Sequence, residues 1–365
     1  MSLIFYLFVA FFALSVLVFF HELGHFTVAR LMGVKIERFS IGFGKILTRK
    51  RCCGTEWAFS AVPLGGYVKM KGQDDSDPTV RSSDPDSYNA KKPWQRILIL
   101  LAGPGANFVL AFFLYLFIAL HGAPLIAARD YIPPVVGQVA PDTPAAKAGL
   151  QPGDRILAID GTPVRYWYQI GEAIQKAPEP ILVTILRHGK ELTLKLHTKI
   201  VEGENEFKEK IKRRIIGISP KVSKDTIIRF APSEALFYAW NETKKATLLI
   251  ATGVKKMSTG EVGTENVGGP ITIFDIMMKF AQAGFVYLLF IMALISVNLG
   301  VLNLLPIPAL DGGHIMFNLY EMITRHEPSE VAYYRLTVLG WVLLGGIMFL
   351  GLFNDFQRLM GGTHG

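Results

Sequence analysis

Two histidines and a glutamate stand at the end of an uncharged apolar run: Ser15 to Val34 reads SVLVFFHELGHFTVARLMGV. His21 and His25 are four residues apart, so on a helix they share one face and their imidazoles can converge on one metal ion. Glu22 lies one residue along, placed to take a proton from water at such a site. The pattern is H-E-x-x-H, two zinc ligands and a general base. In a soluble protein this spacing is only moderately specific. In an apolar helix it is sharper, because an ionisable side chain in lipid is costly unless paired or coordinated. The alternative is a helix end at which these residues meet solvent.

A catalytic zinc takes three protein ligands and keeps one position open. The third ligand must come from elsewhere, and the best candidate is Asp311 in NLLPIPALDGGH. It follows two prolines that break a helix and precedes two glycines that permit close backbone approach. His314 is the rival ligand. Imidazole and carboxylate donors with an open position suit hydrolysis and not thiolate-ligated structural zinc. The two cysteines, Cys52 and Cys53, are neighbours. Adjacent cysteines rarely bridge, and two sulfurs do not complete a zinc site. They read as a reduced, incidental pair.

Membrane segments must hold these groups. The 365 residues are 50% hydrophobic and 19% charged, with a mean hydropathy of +0.33. That is too apolar for an ordinary soluble protein and too charged for one wholly embedded in lipid, so membrane segments plus a soluble domain are expected. Four stretches reach the roughly 17–25 residues that a bilayer core requires. They run from Leu3 to about Arg30, Ile97 to Leu120, Gly284 to Leu305 and Leu336 to Phe353. The first lacks the basic start and small-residue cleavage site of a signal peptide, so it is expected to be retained. The net charge is +8, with Lys and Arg crowded between Lys35 and Lys92. The positive-inside rule places that loop in the cytoplasm, the N-terminus and residues 122–283 outside, and the loop after the third segment inside again. Basicity distributed this way points to a membrane protein and not to a nucleic-acid binder.

The outer region carries strand-like runs at Val135 to Val139 and Arg155 to Ile159, with a short helix at Ala145 to Ala148. GEAIQKA follows as helix, then ILVTILRHGKELTLKLHT as a hairpin turning at His188-Gly189-Lys190. Ser233 to about Lys256 reads as an amphipathic helix on the membrane surface. In the cytoplasmic loop, ERFSIGFGKILTRK and TEWAFSAVPLGGYVKM read as short strands with tight turns, partly dipping into the membrane. KGQDDSDPTVRSSDPDSYNAKKP reads as a mobile polar loop. In the second segment, Gly103, Pro104 and Gly105 read as helix packing and Asn107 as a bond between helices. The expected fold class is a polytopic α-helical membrane protein of four transmembrane helices. It carries a membrane-associated β-hairpin and an extracytoplasmic α+β domain.

HELGH and NLLPIPALDGG together resemble the site-2 protease family, the intramembrane zinc metalloproteases of peptidase family M50. The four segments with a soluble domain between the second and third are similar to its bacterial RseP-like branch. So are GPGANF at Gly103 to Phe108 and SIGFGKIL at Ser40 to Leu47. The resemblance implies a zinc metalloendopeptidase with His21, His25 and Asp311 as ligands and Glu22 activating water. Asn303, eight residues before Asp311, would hold substrate near the metal; a helix–helix hydrogen bond is its alternative role. Ile41, Gly42, Phe43 and Gly44 would belong to a hairpin presenting an edge to extended substrate. The implied domains are an N-terminal membrane domain 1–121, a PDZ-like domain 122–202, a connecting region 203–283 with the amphipathic helix, and a C-terminal membrane domain 284–365. The best-known enterobacterial members carry tandem PDZ domains, and this chain has room for a single one.

Implied substrates are single-pass membrane proteins already shortened outside, such as anti-sigma factors, and remnant signal peptides. The implied setting is a bacterial inner membrane, with the PDZ-like domain in the periplasm contacting substrate or gating access. Two rival readings are a PDZ-bearing scaffold with a silent metal site and a metal transporter. The intact His21, Glu22, His25 and Asp311 argue against the first, and a single clustered site against the second.

Overall fold

The computed structural model describes residues 3–73, 82–205, 209–223 and 226–360. The chain opens with helix α1 (Leu3–Leu31), strands β1 (Ile36–Cys52) and β2 (Thr55–Met70), and helix α2 (Pro93–His121). There follow β3 (Ala123–Pro124), α3 (Leu125–Ala128), β4 (Val136–Val139), α4 (Pro144–Lys147), β5 (Arg155–Ile159), β6 (Thr162–Pro163) and α5 (Trp167–Lys176). Strands β7 (Ile181–Arg187), β8 (Lys190–Leu196), β9 (Lys199–Glu204), β10 (Lys210–Ile215), β11 (Ile218–Pro220) and β12 (Ile227–Ile228) come next. The chain closes with helices α6 (Pro232–Ser258), α7 (Pro270–Ala283), α8 (Phe285–Asn303), α9 (Asp311–Thr324) and α10 (Glu330–Met360). Two compact units result: residues 1–118 with 233–365, and residues 119–232.

In the first unit, α1, α2, α8 and α10 are long and apolar enough to cross a membrane. Helix α1 buries a stripe of small residues, Ala10, Ala13 and Ala29, with Leu17 and His25, while Ile4, Phe8 and Phe12 face outward at four-residue spacing. His21 lies about 27 Å along this helix from Leu3 at 1.5 Å per residue. That is near the far side of a hydrocarbon core of about 30 Å. Helix α7, which the sequence does not announce, packs against α1 and α8, with the rings of Phe11 and Phe274 4.5 Å apart. Its N-terminus is capped from α10: Asp355 accepts from the backbone N–H of Gly269, Ile271 and Thr272 at 3.0, 2.9 and 3.2 Å. A carboxylate at that end satisfies the orphan donors and complements the helix dipole.

The expected short strands are one long hairpin of 17 and 16 residues. Cys53 and Gly54 form its tip with φ of 53° and 81°, the left-handed pair that a two-residue hairpin loop requires. The cysteines therefore mark a turn. The hairpin curls on itself. Arg38–Ile41 pairs with Lys69–Gly66 on one side and, numbers rising together, with Glu56–Phe59 on the other. Register shifts between these stretches let β1 and β2 fold over. Of the expected mobile loop, residues 74–81 lie outside the described residues. The remainder is anchored: Asp84 and Asp86 hold the Lys71 ammonium at 2.8 and 2.6 Å, and Tyr88 and Ser87 are buried.

The second unit has its own core. In β7, Ile181, Val183 and Ile185 are fully buried while Leu182 is exposed, the alternation of a half-buried strand. They sit in a four-stranded sheet of order β6-β5-β7-β8, covered by Ile170 and Ile174 of α5. The β7–β8 turn at His188 and Gly189 falls where the sequence places it. The boundary at residue 202 does not hold as a structural one. It would cut β9, and Ile216, beyond it, is buried in the same core. Arg214 of β10 also reaches back to Glu179 at 2.6 Å and to the Ala177 carbonyl at 2.7 Å. The expected connecting region 203–283 is accordingly divided between the units, its strands in the second and α6 and α7 in the first.

Glu179 accepts hydrogen bonds from the Thr198 hydroxyl and from Arg214, which hold its carboxyl down at about 2 against an ordinary 4.5. A depressed carboxyl stabilises the fold above its unfolded value and loses that contribution as pH falls through the folded one. Amide exchange of β7 and β8 should therefore be slower in wild type than in Glu179→Gln, compared at equal pH, above pH 4.5. The difference should vanish by about pH 2. A constant difference across that window would contradict the assignment.

Candidate metal centre

The α1 helix places the two imidazoles one turn apart, their centroids separated by 4.8 Å and their planes nearly perpendicular. Nε2 of His21 and Nε2 of His25 lie 3.2 Å from each other, and each lies 3.4 Å from Oδ2 of Asp311. Two nitrogens and one carboxylate oxygen thus meet at a point. Oδ2 of Asp311 is buried without a hydrogen-bond partner, an expensive condition for an anionic oxygen unless a cation completes it. The ring of His25 has a defined orientation. Its Nδ1 is 2.8 Å from the Ile99 carbonyl, which can only accept, so Nδ1 carries the hydrogen and, in the neutral ring that a metal requires, the Nε2 lone pair faces Asp311. This donor set fits zinc with a fourth position open.

Close packing makes that convergence possible. A Cβ on Gly24 would lie 2.1 Å from the Ala102 carbonyl oxygen, so α1 and α2 touch backbone to backbone. A Cβ on Gly103 would lie 2.2 Å from Nε2 of His25 itself. Gly103 is therefore the floor under a ligand, whereas Gly105 meets nothing within 4 Å. Asp311 is the first residue of α9, after the turn through Pro306 and Pro308. Side chains at Gly312 and Gly313 would strike the carbonyls of Leu305 and Ile307, each at 2.2 Å. The two glycines let α9 fold back on that turn. Arg96 of α2 grips Glu321 of α9 with both carboxylate oxygens at 2.5 and 2.6 Å, fixing the helix that carries Asp311.

A cavity of about 530 Å³ opens over this point. Glu22, Asn303, Phe43 and His314 line it together with His21, His25 and Asp311. Nδ1 of His314 is 2.9 Å from the Tyr333 hydroxyl, and His314 is not part of the converging group. Of the hairpin residues singled out in the sequence, Phe43 reaches the cavity. Ile41 pairs on both sides, Gly42 is buried with its Cα direction against the Val62 carbonyl, and Gly44 lies beside the Val62 side chain. The strand that lines the cavity is instead Gly66–Met70 of β2. Gly66 allows it: a Cβ there would be 2.7 Å from the Ser40 carbonyl and 3.4 Å from Cγ of Glu22. Glycines in stretches such as PLGGY flag such approaches only in general terms, so Gly24, Gly66 and Gly103 carry no individual sequence signal. Gly103→Ala should therefore lower zinc content although no ligand is changed. Gly105→Ala should bind the metal as wild type does, both measured by elemental analysis of the purified protein.

The chain matches the model of peptidase family M50 over residues 9–346. It is 44% identical to the Campylobacter jejuni protein named "Putative zinc metalloprotease Cj1068", over 95% of this chain and 92% of that one. A Helicobacter pylori protein named "Putative zinc metalloprotease" is 38% identical over 96% of this chain and 99% of its own length. The Salmonella typhimurium "Regulator of sigma-E protease RseP" is 32% identical over 95% of this chain and 97% of its own. That last alignment runs over 440 residues against the 365 here, so the Salmonella protein carries sequence that this chain lacks. With the match spanning nearly all of its length, the chain belongs to peptidase family M50 and is a zinc metalloprotease of the membrane.

Proposed function

We propose that this zinc metalloprotease cleaves peptide bonds in membrane-spanning segments of single-pass proteins, with His21, His25 and Asp311 holding the metal and Glu22 acting as general base. The observation that carries this reading is the meeting of three ligand atoms around a buried, unpartnered Asp311 oxygen, on a cavity that Glu22 also lines. Zinc held there would supply a Lewis acid that polarises the scissile carbonyl and lowers the pKa of water so that it gives up its proton readily and attacks. Glu22 removes the proton from the attacking water and delivers it to the leaving nitrogen. The Ile99 carbonyl holds the His25 ring in its ligand orientation. Asn303, the last residue of α8, offers an amide to the substrate backbone at the cavity wall.

Substrate must arrive unwound, because a helix in lipid keeps its carbonyls in intrahelical hydrogen bonds. Pairing with a strand at the cavity replaces those bonds. Gly66–Met70 is better supported for this role than Ile41–Gly44, since it lines the cavity and the other stretch does so only through Phe43. By the charge distribution the hairpin and metal centre lie toward the cytoplasm and residues 119–232 lie outside, in a bacterial inner membrane. The four-stranded sheet with α5 supports a PDZ-like reading of that outer unit, which would bind or sieve substrates already shortened outside. The name of the Salmonella relative favours anti-sigma-factor substrates here as well.

Glu22→Gln should keep about one zinc per chain and lose cleavage of a model membrane substrate by about 10²–10⁴-fold, the worth of a general base. His21→Phe should lose both metal and cleavage. Normal cleavage by Glu22→Gln would refute the mechanism. A reporter active only in the cytoplasm should work when fused near Ser83 and fail after Asp160; the reverse pattern would overturn the orientation.

A further inference from the structure

His21 has a second partner that the chemistry above does not use. Its Nδ1 lies 3.1 Å from the atom placed as Nδ2 in the side-chain amide of Asn107, which stands fully buried on α2. The Ser296 hydroxyl of α8 donates to the Asn107 carbonyl at 2.8 Å, so this residue is pinned between two helices. A side-chain amide offers either an oxygen that accepts or an NH2 that donates, and the two orientations have the same shape. Oδ1 has no other hydrogen-bond partner, so nothing else around the amide dictates which way it faces.

The ring of His21 decides. If the amide NH2 donated to Nδ1, the ring hydrogen would sit on Nε2. It would then point at Nε2 of His25 and Oδ2 of Asp311, and His21 could not ligate through that atom. If Oδ1 accepts from Nδ1–H, the Nε2 lone pair faces the same point as that of His25. The two imidazoles are then oriented by the same device: a ring N–H given to an oxygen, the Ile99 carbonyl for one and the Asn107 amide for the other.

We propose that Asn107 is a positioning residue for the metal centre, its side-chain oxygen accepting the Nδ1–H of His21 and so keeping Nε2 on the ligand point. This rests on His21 being a ligand. Loss of such an acceptor typically weakens metal binding by about 10–100-fold. An isosteric carboxylate still accepts but cannot donate, whereas leucine has the size and neither function.

The test is zinc affinity of the full-length protein in detergent, by competition with a chromogenic chelator at fixed pH, for wild type, Asn107→Asp, Asn107→Leu and His21→Phe. Asn107→Leu should bind zinc about 10–100-fold more weakly, and Asn107→Asp at least as tightly as wild type. In the cobalt-substituted protein, two strongly shifted exchangeable N–H resonances are expected from the ligand rings. The one lost in His21→Phe should broaden by solvent exchange in Asn107→Leu and persist in Asn107→Asp. Equal weakening by both substitutions would show that zinc binding does not depend on an acceptor at this position and overturn the proposal, as would unchanged affinity in Asn107→Leu. Should the leucine variant fail to fold, Asn107→Asp alone decides by whether it keeps affinity and the resonance. Zinc binding unimpaired in His21→Phe would instead overturn the ligand reading on which the proposal stands.

Discussion

The structure depends on one electrostatic constraint: two imidazoles and a carboxylate are buried together in a part of the protein built from apolar helices. Leaving such groups in a low-dielectric setting costs several kcal/mol per ion unless a partner of opposite charge meets them. The Asp311 oxygen has no hydrogen-bond donor of its own, so a divalent cation is the natural completion. Much of the nearby architecture follows. Gly24 brings α1 against α2, Gly103 leaves room for the His25 ring, and Gly312 and Gly313 let α9 double back. The Arg96–Glu321 pair then holds α9 to α2.

The second demand is an extended substrate. A helix crossing lipid exposes no backbone donors or acceptors, so the proposed cleavage of membrane-spanning segments would need a strand beside the metal centre. The hairpin supplies one by folding over itself. Arg38–Ile41 becomes an inner strand paired on both sides, and Gly66–Met70 comes to the cavity. Residues 119–232 have a separate core of alternating Ile and Val, so their stability does not draw on the metal centre.

Some of this is legible in the sequence because it is local. Histidines four apart must share a helix face, and the prolines before Asp311 break a helix while the two glycines after it permit close approach. The four spanning segments declare themselves by length and hydropathy, and the β7–β8 turn by its His-Gly pair. Other features are tertiary. Nothing in GPGANF says that Gly103 faces His25 while Gly105 faces nothing, because that depends on how α2 is rotated against α1. The register of a long bulged hairpin cannot be read from its composition, which is why Phe43 reaches the cavity and Ile41 does not. Helix α7 carries Asp275 and Lys279 in a modest apolar pattern and is stabilised by Asp355, which lies 84 residues along the chain from Ile271. Strands β9 and β10 are short and rich in charge, so nothing local shows that the second unit continues past them, as buried Ile216 and the Arg214–Glu179 pair require. Asn303 is distinguished from any other polar residue in an apolar run by family resemblance alone.

The most direct measurement is zinc K-edge X-ray absorption on the purified full-length protein. The expected first shell contains two imidazole nitrogens and otherwise oxygen, at about 2.0–2.2 Å, with no sulfur. His25→Ala should remove one imidazole from the spectrum, and Asp311→Ala should change the oxygen shell while both imidazoles stay. Sulfur scattering at about 2.3 Å, which would implicate Cys52 and Cys53, or a third imidazole, which would implicate His314, would contradict a centre built from His21, His25 and Asp311.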